Sequence, residues 1–85
     1  MLKLIDFYAD WCGPCQSMMP IVDELSKDYD VKKINVDDDS EIASEYGIMS
    51  IPTFVIEKDG KEVERLNGAQ PKEKLVSLLE GYSNE

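Results

Sequence analysis

The chain has 85 residues, 42% of them hydrophobic and 32% charged, with a formal net charge of −9. This describes one small soluble domain, residues 1–85, with room for a single core. Its acidity argues against nucleic-acid partners, because a phosphate backbone repels it, and fits solubility and the choice of protein partner. With no histidine and only two cysteines, a Cys₂His₂ zinc site and a Cys–His catalytic pair are excluded. Two cysteines alone also cannot complete a four-ligand metal site.

The opening Met1-Leu2-Lys3-Leu4-Ile5-Asp6 is broken by charge almost at once, with no cleavage pattern after it. It reads as neither a signal peptide nor a membrane span, so a cytoplasmic location is expected. In that compartment two cysteines point to catalysis or redox chemistry rather than to a structural staple. Leu2 to Ala9 reads as a strand apolar on both faces, interrupted by Asp6. A carboxylate there should have a raised pKa from desolvation, unless an ion pair, with Lys33 for instance, makes it structural.

The strand leads into Trp11-Cys12-Gly13-Pro14-Cys15, which holds both cysteines. A helix is expected from Trp11 to about Tyr29. Pro14 suits its first turn, and Pro20 should kink it. Cys15, Met18, Val22, Leu25 and Tyr29 recur at spacings of three and four and share one face. Cys15 therefore points to the core and Cys12 sits at the exposed helix start. At that spacing the two can close as a disulfide. Cys12 also meets unpaired N–H groups and the positive end of the helix dipole, which favour a thiolate. The expectation is a dithiol that cycles with its disulfide.

Val31 to Val36 is a second strand, parallel to the first through the intervening helix. Asp38 with Glu41 resembles a capping box for a short helix that ends at Gly47. The aspartates at 37–39 lack the full ligand spacing of a calcium loop and read as a solvated helix start. Ile48 to Pro52 is a loop, Thr53 to Glu57 a strand, and Asp59-Gly60 a hairpin turn into an edge strand from Glu62 to Leu66. After the loop Asn67-Gly68-Ala69, Pro71 begins a last helix with Leu75, Leu78, Leu79 and Tyr82 on one face, and residues 83–85 should fray. Met18, Met19, Leu25, Leu75, Leu78 and Leu79 are assigned to the core. The fold class is α/β, in the order β-α-β-α-β-β-α, with a four-stranded mixed sheet flanked by three helices.

At this point the residues resemble the thioredoxin family across essentially the whole chain. The resemblance rests on Trp11-Cys12-Gly13-Pro14-Cys15, Ile51-Pro52-Thr53, the approach Asp6 to Asp10, Pro20, Asn35-Val36-Asp37, Tyr46-Gly47-Ile48, Asp59-Gly60 and Gly68-Ala69. It implies a protein-disulfide reductase. Cys12 is its nucleophile, Cys15 the resolving thiol, and Asp6 the buried carboxylate that accepts the Cys15 proton. Trp11, Gly13 and Pro14 form the active-site turn. Pro52, after a cis bond from Ile51, packs on the sulfurs. Trp11, Ile51, Gly68 and Ala69 make a docking surface for protein disulfides.

The resemblance further implies no bound cofactor and electrons from a separate thioredoxin reductase. With the charge, the opening residues and the ligand count above, the expectation is a monomer with no metal and no membrane or nucleic-acid partner. The chain resembles a minimal thioredoxin, without the strand and helix that usually precede the first strand here. Tyr8 stands where the family often has Trp. Gln16 stands where it often has Lys or Arg, which removes one local stabiliser of the thiolate. The alternatives are a redox-independent binding or assembly module, an oxidant or isomerase, and a glutaredoxin-like, glutathione-dependent reductase.

Overall fold

The computed structural model describes residues 1–84. Seven elements follow in the expected order: β1 (Leu2–Tyr8), α1 (Gly13–Leu25), β2 (Asp30–Asn35), α2 (Ser40–Glu45), β3 (Thr53–Lys58), β4 (Lys61–Asn67) and α3 (Lys72–Ser83). The sheet order is β2-β1-β3-β4. β1 and β2 are parallel, with Asp6 opposite Lys33, and the β1–β3 and β3–β4 pairs are antiparallel. The mixed sheet follows from the connections. A helical crossover returns the chain parallel, whereas a two-residue turn can only reverse it. That turn is Asp59-Gly60, with φ of 54° and 84°, the left-handed pair that matches the twist of a tight hairpin.

The strands' two-residue alternation sorts the core into two layers. Leu4, Phe54 and Ile56 meet Met18, Val22 and Leu25 of α1 and Leu75 and Leu79 of α3 on one face. Ile5, Phe7, Ile34 and Val55 meet Ala43 of α2 on the other. Asp6 is opposite Phe54 in the register and shares the parity of Leu4, so it belongs to the α1–α3 face.

Several details depart from the expectations. Cys12 is not helical: it is extended (φ −87°, ψ 107°) and caps α1. The helix closes at Leu25. Tyr29 lies beyond it yet still packs against the α1–α3 core. The capping box does not form, because Asp39 and not Asp38 occupies the α2 cap position and makes no side-chain cap bond. At the other end of α2, Gly47 (φ 65°) donates to the Ser44 carbonyl and Ile48 to that of Ala43. That pair of bonds is how a glycine in the left-handed region ends a helix. Met19 is half-buried and joins no core cluster. Ser83 ends α3 with Asn84 as its cap, and Glu85 lies outside the described residues.

Candidate active site

The site lies where β1 ends and α1 begins. Ala9, Cys12 and Cys15 are buried together, with Tyr8, Val36 and Ile51 packed against them. Cys12 and Cys15 are joined as a disulfide with their Cα atoms 5.2 Å apart. The strand-to-helix junction makes this possible. The Cys12 N–H is held by the Ala9 carbonyl at 3.2 Å, and Gly13 and Pro14 fill the first turn, where a missing N–H costs nothing. The Cys15 N–H donates to the Cys12 Sγ at 3.2 Å. A helix leaves its first N–H groups without internal partners. Here one of them is aimed at a sulfur, and the same bond would favour negative charge on Cys12 once the disulfide opens.

Cys15 is buried as its place on the inward helix face predicts, whereas Cys12 is less accessible than expected. Cys12 is 5% exposed and Cys15 1%. The contacts of Cys12 with the Ala9 region, Val36 and Ile51 cover it, so its place at the helix start does not make it an open residue. What stands open is its neighbour Trp11, 71% exposed. The Trp11 Nε1–H donates to Asp37 Oδ2 at 2.8 Å. Asp37 is set beneath it because its own N–H is held by the Asn35 side chain at 2.9 Å and the Val36 N–H by the Tyr8 carbonyl at 2.8 Å.

Gln16 donates its side-chain amide to the Ala9 carbonyl at 3.3 Å. The residue that replaces a cation therefore ties the helix start to the strand end and adds no charge beside the sulfurs.

Asp6 is fully buried, and neither carboxylate oxygen has a hydrogen-bond partner among the described residues. Burial pushes its pKa up to about 6, with the Lys33 charge offsetting part of the rise. Lys33 makes no bond to it. Its Nζ is taken by Asp23 at 2.6 Å, so the ion-paired reading of Asp6 does not hold. The structure places Asp6 on the sheet face covered by α1, the helix whose inward face carries Cys15.

The Ile51–Pro52 bond is cis and Pro52 is fully buried. The Gly68 N–H (φ 89°) donates to the Pro52 carbonyl at 2.7 Å, which joins the β4–α3 loop to the proline loop. The Thr53 hydroxyl donates to the Ser50 carbonyl at 2.7 Å and lies 3.1 Å from the Asn67 side chain. Of the expected docking residues, Trp11 and Ile51 share one groove. Gly68 and Ala69 are not among its lining. Its remaining walls are Val36, Ala43, Ile48, Met49 and Ser50, none of which sequence reasoning had singled out. Only Val36 and Ile48 lay inside quoted motifs, and nothing in the chain's order couples them to Trp11.

A disulfide bridging the start of a helix, with Ile51 of a cis-proline loop packed against it, defines a thiol–disulfide oxidoreductase. Known proteins agree. The thioredoxin family model matches residues 1–81. A thioredoxin from Staphylococcus epidermidis is 46% identical over 95% of this chain and 82% of its own length. One from Pyropia yezoensis is 51% identical over 93% and 78%. A mutant thioredoxin from Halobacterium salinarum superposes with a TM-score of 0.92 at 44% identity, covering 95% of this chain and 74% of that one. The chain belongs to the thioredoxin family, and its activity is that of a protein-disulfide oxidoreductase with Cys12 and Cys15 as the redox pair. Family membership carries with it protein disulfides as substrates and a reductase as partner. No group of three or more potential metal ligands occurs among the described residues. No helix among them is long and apolar enough to cross a membrane.

Proposed function

We propose that residues 1–85 act as one domain that, in its dithiol form, reduces disulfides of other proteins in two exchange steps. The Cys12 thiolate attacks one sulfur of the substrate disulfide. A Cys12–substrate bond forms, the substrate S–S bond breaks, and the displaced thiolate takes a proton from solvent. Cys15 then attacks the Cys12 sulfur. This closes the Cys12–Cys15 disulfide and releases the second substrate sulfur as a thiol. Two electrons pass to the substrate and the chain is left oxidised. A separate thioredoxin reductase restores the dithiol, with no cofactor bound to this chain.

The observation that carries the order of attack is the Cys15 N–H bond to the Cys12 Sγ. It favours the anion at Cys12, the sulfur at the helix start. Asp6 is proposed as the acceptor of the Cys15 proton. A carboxyl raised to about 6 is ionised often enough near neutrality to take a proton and basic enough to hold it. Neither of its oxygens has a hydrogen-bond partner among the described residues, which leaves it available. Trp11, Ile51, Pro52, Gly68 and Ala69 are proposed to contact the substrate segment, whose extended backbone can pair beside Ile51 as an added strand. A monomer in the cytoplasm fits this role.

The test is reduction of a disulfide-bonded protein by the pre-reduced chain. Wild type should transfer one pair of electrons per chain and Cys12→Ser none. Comparable transfer by Cys12→Ser would remove Cys12 as the nucleophile.

A further inference from the structure

The charge of this molecule is unevenly placed. The three segments that build the active end are 8–17, 35–53 and 66–71. They carry Asp10, Asp37, Asp38, Asp39, Glu41 and Glu45, and none of the chain's 9 Lys and Arg falls within them. Lys3, Lys58 and Lys61 stand at the opposite end of the sheet, where Leu2 pairs with Lys58 and the β3–β4 hairpin turns. β1, with its 7 residues, separates the two ends by about 20 Å. The side chains of Lys33, Lys72 and Arg65 are held by Asp23, Glu24 and Glu62 respectively. The charged side chains of the three active-end segments are therefore all acidic, and Arg65, a cation that reaches them at the Tyr46 carbonyl, is itself paired with Glu62.

That acidic end borders an apolar groove. The space between Trp11 and Met49, about 390 Å³, is floored by Val36, Ala43, Ile48 and Ile51. Met49 is 96% exposed and Trp11 71%, and both line this groove. Large exposed apolar side chains around one groove mark an interaction site. Asp10 adjoins Trp11 in sequence. Asp37 is bonded to the Trp11 indole through one oxygen, and its other oxygen accepts no bond among the described residues. Ile51 connects groove and redox centre, because it lines the first and packs on the second.

We infer that this groove selects protein disulfides set in basic, apolar segments. An apolar side chain near the substrate cysteine enters the groove that Trp11 and Met49 line. Lys or Arg beside it meets a rim of Asp37, bonded to Trp11, with Asp10 and Asp38 next to Trp11 and Asp37 in the chain. Like charge at such a rim repels acidic segments, and opposite charge speeds encounter. The inference rests on the disulfide-reductase reading and names its substrate class.

Two peptides test it. Each holds one internal disulfide with a leucine beside the attacked cysteine, flanked by two lysines in one and two glutamates in the other. Single-turnover rates with the pre-reduced protein are divided by the rates with dithiothreitol, which removes intrinsic differences between the peptides. The lysine peptide should be favoured about tenfold or more at low salt. The preference should fall to about twofold or less at 1 M salt, where the screening length is only about 3 Å. Asp10→Asn and Asp38→Asn together should shrink the low-salt preference. Asp28→Asn with Glu80→Gln, which remove the same kind of charge away from the groove, should leave it in place. Equal corrected rates at low salt, or a preference that both sets of variants lower alike, would overturn the inference while leaving the reductase reading intact. If neither peptide is reduced, the reductase reading fails and this inference fails with it.

Discussion

The two faces of one strand do different work. On the α2 side, β1 presents Ile5 and Phe7 to Ile34, Val55 and Ala43, an unbroken apolar contact. On the α1–α3 side it presents Leu4 and then Asp6, a carboxylate with no hydrogen-bond partner among the described residues in an otherwise apolar layer. Neighbouring positions in the same strand thus obey opposite rules. The α1–α3 layer is the larger of the two, drawing on two helices, and it can carry a group that opposes folding. A charge held there without a hydrogen bond has no structural benefit to explain it, and perturbed groups of this kind gather at functional sites.

That contrast can be tested by damaging each face in turn. Phe7→Ala should cost about 3–5 kcal/mol of stability, since it empties a fully buried aromatic position. Its effect in chemical denaturation should be nearly the same at every pH between 4 and 8. An equally large pH-dependent component would mean that the α2 face is also electrostatically loaded.

Asp6→Asn should behave in the opposite way. Folding raises the Asp6 pKa from 3.8 to about 6, so between those values the folded chain binds more protons than the unfolded one. Stability therefore falls as pH rises through this window. The fall amounts to about 3 kcal/mol, at 1.36 kcal/mol per pKa unit. The penalty is absent below the unfolded value and complete above the folded one. Asp6→Asn should remove that decline and leave a nearly flat profile, whatever offset the buried amide adds. A decline of unchanged size in the variant would assign the titration to another group.

The division between faces was legible in the sequence to the extent that it depends on local periodicity. The run of β1 apolar on both faces and the three-and-four spacing of Cys15, Met18, Val22 and Leu25 placed the buried surface correctly, because side-chain direction follows directly from element type. Asp6 stood out as a charge inside an apolar run. The helix starts two residues later than expected, at Gly13 rather than Trp11. A cysteine is a poor signal for a cap, and only the bond from the Cys15 N–H to the Cys12 Sγ reveals it. The screening of Cys12 and the groove beside Trp11 were foreshadowed only by the family resemblance, which named Trp11, Ile51 and Pro52 but assigned no role to the groove's remaining walls. They depend on Val36, Met49 and Ile51 arriving from other parts of the chain, and on an Asp37 to Trp11 bond across 26 positions. Local pattern carries no information about contacts of that kind.

The most direct test of the exchange mechanism is mass spectrometry of reduced Cys15→Ser protein mixed with a disulfide-bonded substrate protein. Without the resolving thiol, the first step should go forward and stop. The expected product is one substrate chain joined through Cys12, stable until dithiothreitol is added, and absent with Cys12→Ser. No adduct with Cys15→Ser, or an equal adduct through Cys15 with Cys12→Ser, would contradict the assignment of the attacking and resolving sulfurs.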